Sequence, residues 1–120
     1  MIIAATNRTP EIIFSASGCT VKGECYPEDI TELSKPVMKK LAKDLAQSDA
    51  YSINIELHYF NSSSAKFLFD VFEFLDNAAS QGKEIEVTWF YRQDDDSMEE
   101  AGGEFQEDLE NVLFKMAMLN

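Results

Sequence analysis

The chain has 120 residues and a mass of 13.6 kDa, room for one compact domain and not for two. Hydrophobic residues make up 45% and charged residues 27%, a globular balance rather than a disordered one. Lys plus Arg is 10 and Asp plus Glu is 22, so the formal net charge is −12, which argues against nucleic acid or an anionic membrane as the main partner because such binding needs a basic footprint.

Residues 1–120 are expected to form a single domain. No apolar run approaches the ~20 residues of a membrane span. The first ten residues, MIIAATNRTP, lack the basic and long apolar regions of a signal peptide, so a cytoplasmic location is expected. The first regular elements are Glu11–Ser15 and Cys19–Cys25, two strands joined across Ala16-Ser17-Gly18, a hairpin signal with Gly in the loop. Cys19, Val21, Gly23 and Cys25 share one face of the second strand. At ~3.3 Å per residue the two cysteines are about 20 Å apart, too far for a disulfide. Both read as partly buried free thiols. Tyr26-Pro27-Glu28-Asp29 breaks the strand.

A helix is expected to begin between Thr31 and Ser34, with Ser34 as N-cap and Pro36 in the first turn. Ile30, Leu33, Val37, Leu41 and Leu45 form its apolar stripe. Lys35, Lys39, Lys40 and Lys43 lie off that stripe, so four of the ten basic residues of an acidic chain gather on one helix. In Tyr51–Phe60, Tyr51, Ile53, Ile55, Leu57 and Tyr59 alternate with Ser52, Asn54, Glu56 and His58, which predicts a strand. A second helix is expected from about Ala65 to Ser80, with Leu68, Val71, Phe72, Leu75 and Ala79 facing the core and Gly82 just past its end. Glu84–Tyr91 alternates again. A third helix is expected over roughly Met98–Leu109. The apolar tail from Asn111 to Asn120 is expected to dock on the body.

The order is ββαβαβα. It predicts an α/β fold with an N-terminal hairpin followed by right-handed βαβ crossovers in a mixed four-stranded sheet. Each strand has one polar face, whereas strands covered on both sides read as continuous apolar runs. The helices should therefore lie on one face of the sheet.

Enzyme motifs are scarce. There is no G-x-S-x-G elbow, P-loop or G-x-G-x-x-G. His58 lies four residues before Ser62 on a polar strand face, and no oxyanion-hole glycine flanks the serines. One histidine and two separated cysteines do not make a zinc site. Nine carboxylates and no base lie between Asp94 and Glu110. Asp94, Asp95 and Asp96 offer oxygen ligands for Mg²⁺, the basis of a metal-dependent enzyme as an alternative function. Their simpler reading is a solvated loop whose acids favour a helix N-terminus.

Asn61-Ser62-Ser63-Ser64 sits where a strand gives way to a helix. Capping by Asn61 or Ser62 explains one of these residues, not all. The site also suits a phosphate, because free backbone N–H groups and the helix dipole stabilise a dianion there. Phosphorylation would change the surface by about −1.5 to −2 charges while leaving the fold intact. Phe67, Phe69 and Phe74 fall largely off the core stripe and offer an apolar contact patch beside it.

Four segments carry a resemblance: Val21–Glu28 (VKGECYPE), Leu57–Lys66 (LHYFNSSSAK), Val87–Tyr91 (VTWFY) and Met98–Gly102 (MEEAG). They are similar to the SiaC family of bacterial regulatory phosphoproteins. Fold order and the serine-rich turn also resemble the STAS domains of anti-sigma-factor antagonists. The resemblance implies a non-enzymatic switch without a cofactor, phosphorylated by a dedicated Ser/Thr kinase and reversed by a PP2C-type phosphatase. Its unmodified form would bind and activate a diguanylate cyclase, linking it to cyclic-di-GMP and biofilm control. The phosphorylated residue carried over is Ser62, with Ser63 as the alternative. The partner-binding set is Asn61, Ser62, Ser63, Ser64, Lys66 and Phe67. An anti-sigma-factor antagonist acting by partner switching is the alternative regulatory role.

Overall fold

The computed structural model describes residues 1–119; Asn120, the last residue of the expected domain and tail, lies outside them. Six strands and three helices alternate along the chain: β1 (Ile2–Ile3), β2 (Glu11–Ser15), β3 (Gly18–Cys25), α1 (Thr31–Ala46), β4 (Ala50–Phe60), α2 (Ser62–Ser80), β5 (Glu84–Arg92), α3 (Asp96–Asp108) and β6 (Leu113–Leu119). The strands form one mixed sheet in sequential order β1-β2-β3-β4-β5-β6. The first two pairings are antiparallel and the last three parallel. Each parallel strand is thus laid on the same side of its predecessor. With crossovers of one hand, that order puts all three helices on one face.

The sheet has six strands, not the four that alternation predicts. The extra two are its edges. β1 is two residues long, paired by Ile2 to Ile13 and Ile3 to Ile12. In β6 only Phe114 is fully buried, while Leu113 and Met118 are 56% and 54% exposed. An edge strand covered on one side and at one end carries no clean period of two. Docking of this tail is secured by Asp76 on α2, whose Oδ1 accepts the N–H groups of Glu110, Asn111 and Val112 at 3.2, 2.8 and 3.1 Å. Burial pushes the Asp76 carboxyl up, but these donors outweigh it and hold it below the usual carboxylate range.

The core lies between the sheet and the helices. Leu33, Val37, Leu41 and Leu45 of α1 and Leu68, Val71, Phe72 and Leu75 of α2 face Tyr51, Ile53, Ile55 and Leu57 of β4 and Ile85, Val87 and Trp89 of β5. Helix α1 starts at Thr31, whose N–H is taken by Asp29 Oδ1 at 3.0 Å. Ser34 is therefore not the cap, and Pro36 falls in the second turn. There it forgoes one bond, the one its missing N–H would make to Glu32. Helix α2 ends in a Schellman motif, with Gly82 N–H on Ala79 O and Lys83 N–H on Ala78 O at 3.0 and 3.3 Å. Gly82 adopts the positive φ of +102° that the motif requires. Helix α3, although acidic, is anchored by Met98 and Gly102, which lie against β5 and β6. A Cβ at Gly102 would stand 2.5 Å from Trp89 Cδ1, and Trp89 Nε1 donates to Met98 O at 2.9 Å. Cys19 and Cys25 are buried, free thiols.

One departure from alternation shapes the end of β4. Pairing with β3 steps from Gly23–Leu57 to Glu24–Tyr59, so His58 is an inserted bulge residue. Beyond it the faces exchange. Tyr59, assigned to the core by the strict alternation, is half exposed and meets Tyr26 edge-on at 5.6 Å. Phe60 turns inward against Trp89 and Phe105.

Candidate functional site

The bulge delivers the chain to Asn61 at the C-terminal end of β4. Asn61 N–H donates to Cys25 O at 3.2 Å, tying the junction to the end of β3. Its backbone is extended, with φ −91° and ψ −179°, and its Oδ1 accepts the N–H of Ser64 at 2.9 Å. Asn61 is thus the N-cap of α2. Ser62, Ser63 and Ser64 are the first three helical residues, so α2 begins three residues before the expected start at Ala65. The cap takes the Ser64 N–H. Helix geometry leaves the N–H groups of Ser62 and Ser63 without intrahelical partners. The first turns of α1 and α3 contain Glu32 and Asp96 with Glu99; that of α2 contains no acid.

The three serines are not equivalent. Ser62 and Ser63 are exposed. Ser64 is completely buried, and among the described residues its Oγ has no hydrogen-bond partner. It faces the Cys25 thiol, whose pKa burial pushes up and the nearby Ser64 hydroxyl partly offsets, short of a hydrogen bond of ordinary geometry. Ser64 therefore belongs to the core and not, as the motif alone suggests, to the contact surface. Phe67 is largely buried too. It is 7% exposed and forms part of the floor of a groove between α1 and α2, of about 580 Å³, with Met38 and Phe74. Lys66 does reach solvent. It pairs with Asp70 at 2.5 Å and lies over the half-exposed Phe69 ring at 5.9 Å. The exposed set at this end is Ser62, Ser63, Lys66, Phe69 and Tyr59. Tyr59 escaped the sequence reading because only the bulge reverses its face.

The enzymatic alternatives do not assemble. His58 Nε2 lies 3.4 Å from Glu56 Oε2 on the open sheet face, and among the described residues no hydrogen bond joins it to a serine. Asp95 spends its carboxylate capping α3 on the Met98 N–H at 3.1 Å, and Asp96 opens the same helix. Among the described residues no group of three His, Cys, Asp or Glu side chains converges to hold a metal ion. No described helix is long and apolar enough to cross a membrane.

Residues 3–119 match the SiaC family regulatory phosphoproteins along nearly the whole chain. The chain belongs to the SiaC family. An uncharacterized protein of Pseudomonas aeruginosa strain UCBPP-PA14 is 29% identical over 109 residues, covering 88% of this chain and 86% of that protein. Among solved structures, the SiaC-family fold recurs in the Pseudomonas aeruginosa complex of the diguanylate cyclase SiaD with its activator SiaC. The match there has a TM-score of 0.94 and 26% identity, covering 99% of each chain. Apo-SiaC from the same organism matches with a TM-score of 0.86 and 28% identity over 100% of this chain and 98% of that one. The family is one of regulatory phosphoproteins.

Proposed function

We propose that this chain is a non-enzymatic cytoplasmic switch, phosphorylated on Ser62 by a Ser/Thr kinase, restored by a PP2C-type phosphatase, and active toward a diguanylate cyclase when unmodified. One observation carries the choice of residue: Ser62 is exposed at the first position of α2, beside N–H groups that no intrahelical acceptor uses. A phosphate there meets the positive end of the helix dipole and so leaves the fold undisturbed. Its effect falls on the partner. The formal charge moves from −12 to about −14, and a docked surface would have to desolvate the dianion. Ser63 is exposed too and is the alternative acceptor. Ser64 would have to leave the core to be modified. The partner-facing residues are Asn61, Ser62, Ser63 and Lys66, to which the exposed rings of Tyr59 and Phe69 add apolar area.

The cyclase is the target class because a SiaC protein of the same fold is the activator in a complex with one. Incubation with the cognate kinase and ATP, followed by mass spectrometry, tests the site. Phosphate is expected on Ser62 and absent from Ser62→Ala. Undiminished modification of Ser62→Ala contradicts the assignment. Ser62→Asp is expected to bind the cyclase more weakly than wild type.

A further inference from the structure

We propose that the outward face of α1 is a docking surface for an acidic segment of a partner protein, contacted by Lys35, Lys39 and Lys43. The chain holds ten basic side chains. Six are engaged with its own carboxylates: Arg8 with Glu28, Lys22 with Glu56, Lys40 with Asp44, Lys66 with Asp70, Lys83 with Asp49 and Lys115 with Glu86. That leaves four with no ion pair among the described residues: Arg92, alone at the end of β5, and the three α1 lysines. In a chain with 22 carboxylates, three of the four free cations stand on one helix. Lys35 lends some stabilisation to the Asp29 carboxylate, but from beyond ion-pair contact.

Their spacing is the second observation. Residues 35, 39 and 43 recur every four positions, so they form one row about 12 Å long with about 6 Å between neighbours. All three are exposed, while Leu33, Val37, Leu41 and Leu45 bury the opposite stripe. Ala42 and Ala46, also exposed, keep the same side of the helix low. Like charges at four-residue spacing oppose helix formation. The row therefore works against the helix that bears it, which an arrangement selected for stability would avoid.

The occupant follows from charge and size. The row lies on a convex helix, with no cavity to enclose a small anion. An anionic membrane or a nucleic acid would meet the acidic remainder of the molecule as well as the row. A narrow protein segment need not. Charges farther away than a Debye length of about 8–10 Å are largely screened at ordinary salt, so such a segment would feel mainly the exposed face of α1, where three lysines outnumber the one exposed carboxylate in its first turn, Glu32. Carboxylates repeating every turn of a partner helix match the 6 Å spacing. This surface lies on a different helix from Ser62 and does not depend on the phosphorylation reading.

The test titrates the full-length, ¹⁵N-labelled chain with a synthetic oligoglutamate peptide of about 12 residues, followed by NMR. Amide shifts are expected along α1 between Lys35 and Ala46. The affinity should fall at least about tenfold in Lys35→Gln/Lys39→Gln/Lys43→Gln and change less than about twofold in Lys22→Gln/Lys115→Gln, and it should weaken between about 50 and 300 mM salt. Thermal unfolding of the triple variant is expected to match or exceed wild type, which separates lost docking from lost folding. Peptide affinity unchanged in the triple variant, or shifts centred on Arg92, would overturn the proposal. So would lysine-dependent binding to phosphatidylserine vesicles without peptide binding, or a salt-sensitive dimer that sedimentation shows to be lost in the triple variant without peptide binding.

Discussion

Three neighbouring serines have two different fates, and the difference is burial. The Ser64 hydroxyl is enclosed without a partner among the described residues, a position that costs free energy when polar and none when apolar. Ser64→Ala is therefore expected to be neutral or to stabilise the fold by about 1 kcal/mol in denaturant titration. Asn61→Ala removes the acceptor for the Ser64 N–H and should cost about 1 kcal/mol. Of the two glycines of α3, Gly102 is the confined one. Gly102→Ala forces a methyl into the Trp89 ring and the Met116 tip and should cost roughly 1–3 kcal/mol, read as a lowered unfolding midpoint. The thiols obey the same logic. Cys19 is pushed up to about 12, mainly by burial, which the Tyr51 contact lowers and the Asp44 charge raises. Neither cysteine should be alkylated at pH 8 until the chain unfolds.

Among the elements, β6 and α1 make opposite statements about charge. β6 is held by three N–H donors on one carboxylate. Asp76 has a folded pKa below its unfolded value, so its contribution is complete above pH ~4 and is lost as pH falls through the folded value. Tail docking, followed by near-UV circular dichroism, should loosen below about pH 4, and Asp76→Asn should lack that component. In α1 the row of lysines lies off the apolar stripe. Lys39→Glu converts two repulsive four-residue pairs into attractive ones and should raise stability by about 0.5–1 kcal/mol. The sequence disclosed α1, α2 and the central strands because each carries a clean period over several turns or pairs, and α3 through the acidic loop that leads into it. It disclosed neither β1, which is too short for any period, nor the reversal at Tyr59. A one-residue bulge leaves the composition of β4 unchanged while exchanging its faces. The serine turn was legible as a helix start. The burial of Ser64 and Phe67 was not, because α2 begins three residues earlier than its apolar stripe suggests, and that shifts which serines face the core.

At the scale of the whole molecule, the sheet is covered by helices on one side, and α2 begins at the end of β4, where Tyr59 and Ser62 reach solvent together. The core makes no use of the Ser62 hydroxyl, so modification there is free to act on partners alone. The decisive measurement is calorimetric titration of the chain against a diguanylate cyclase, before and after stoichiometric phosphorylation at Ser62, alongside the thermal midpoint of each form. The prediction is binding by the unmodified chain, a loss of about 100-fold (roughly 3 kcal/mol) on phosphorylation, and midpoints that agree within a few degrees. Equal affinity of the two forms, or a phosphorylated chain that no longer folds, would contradict it.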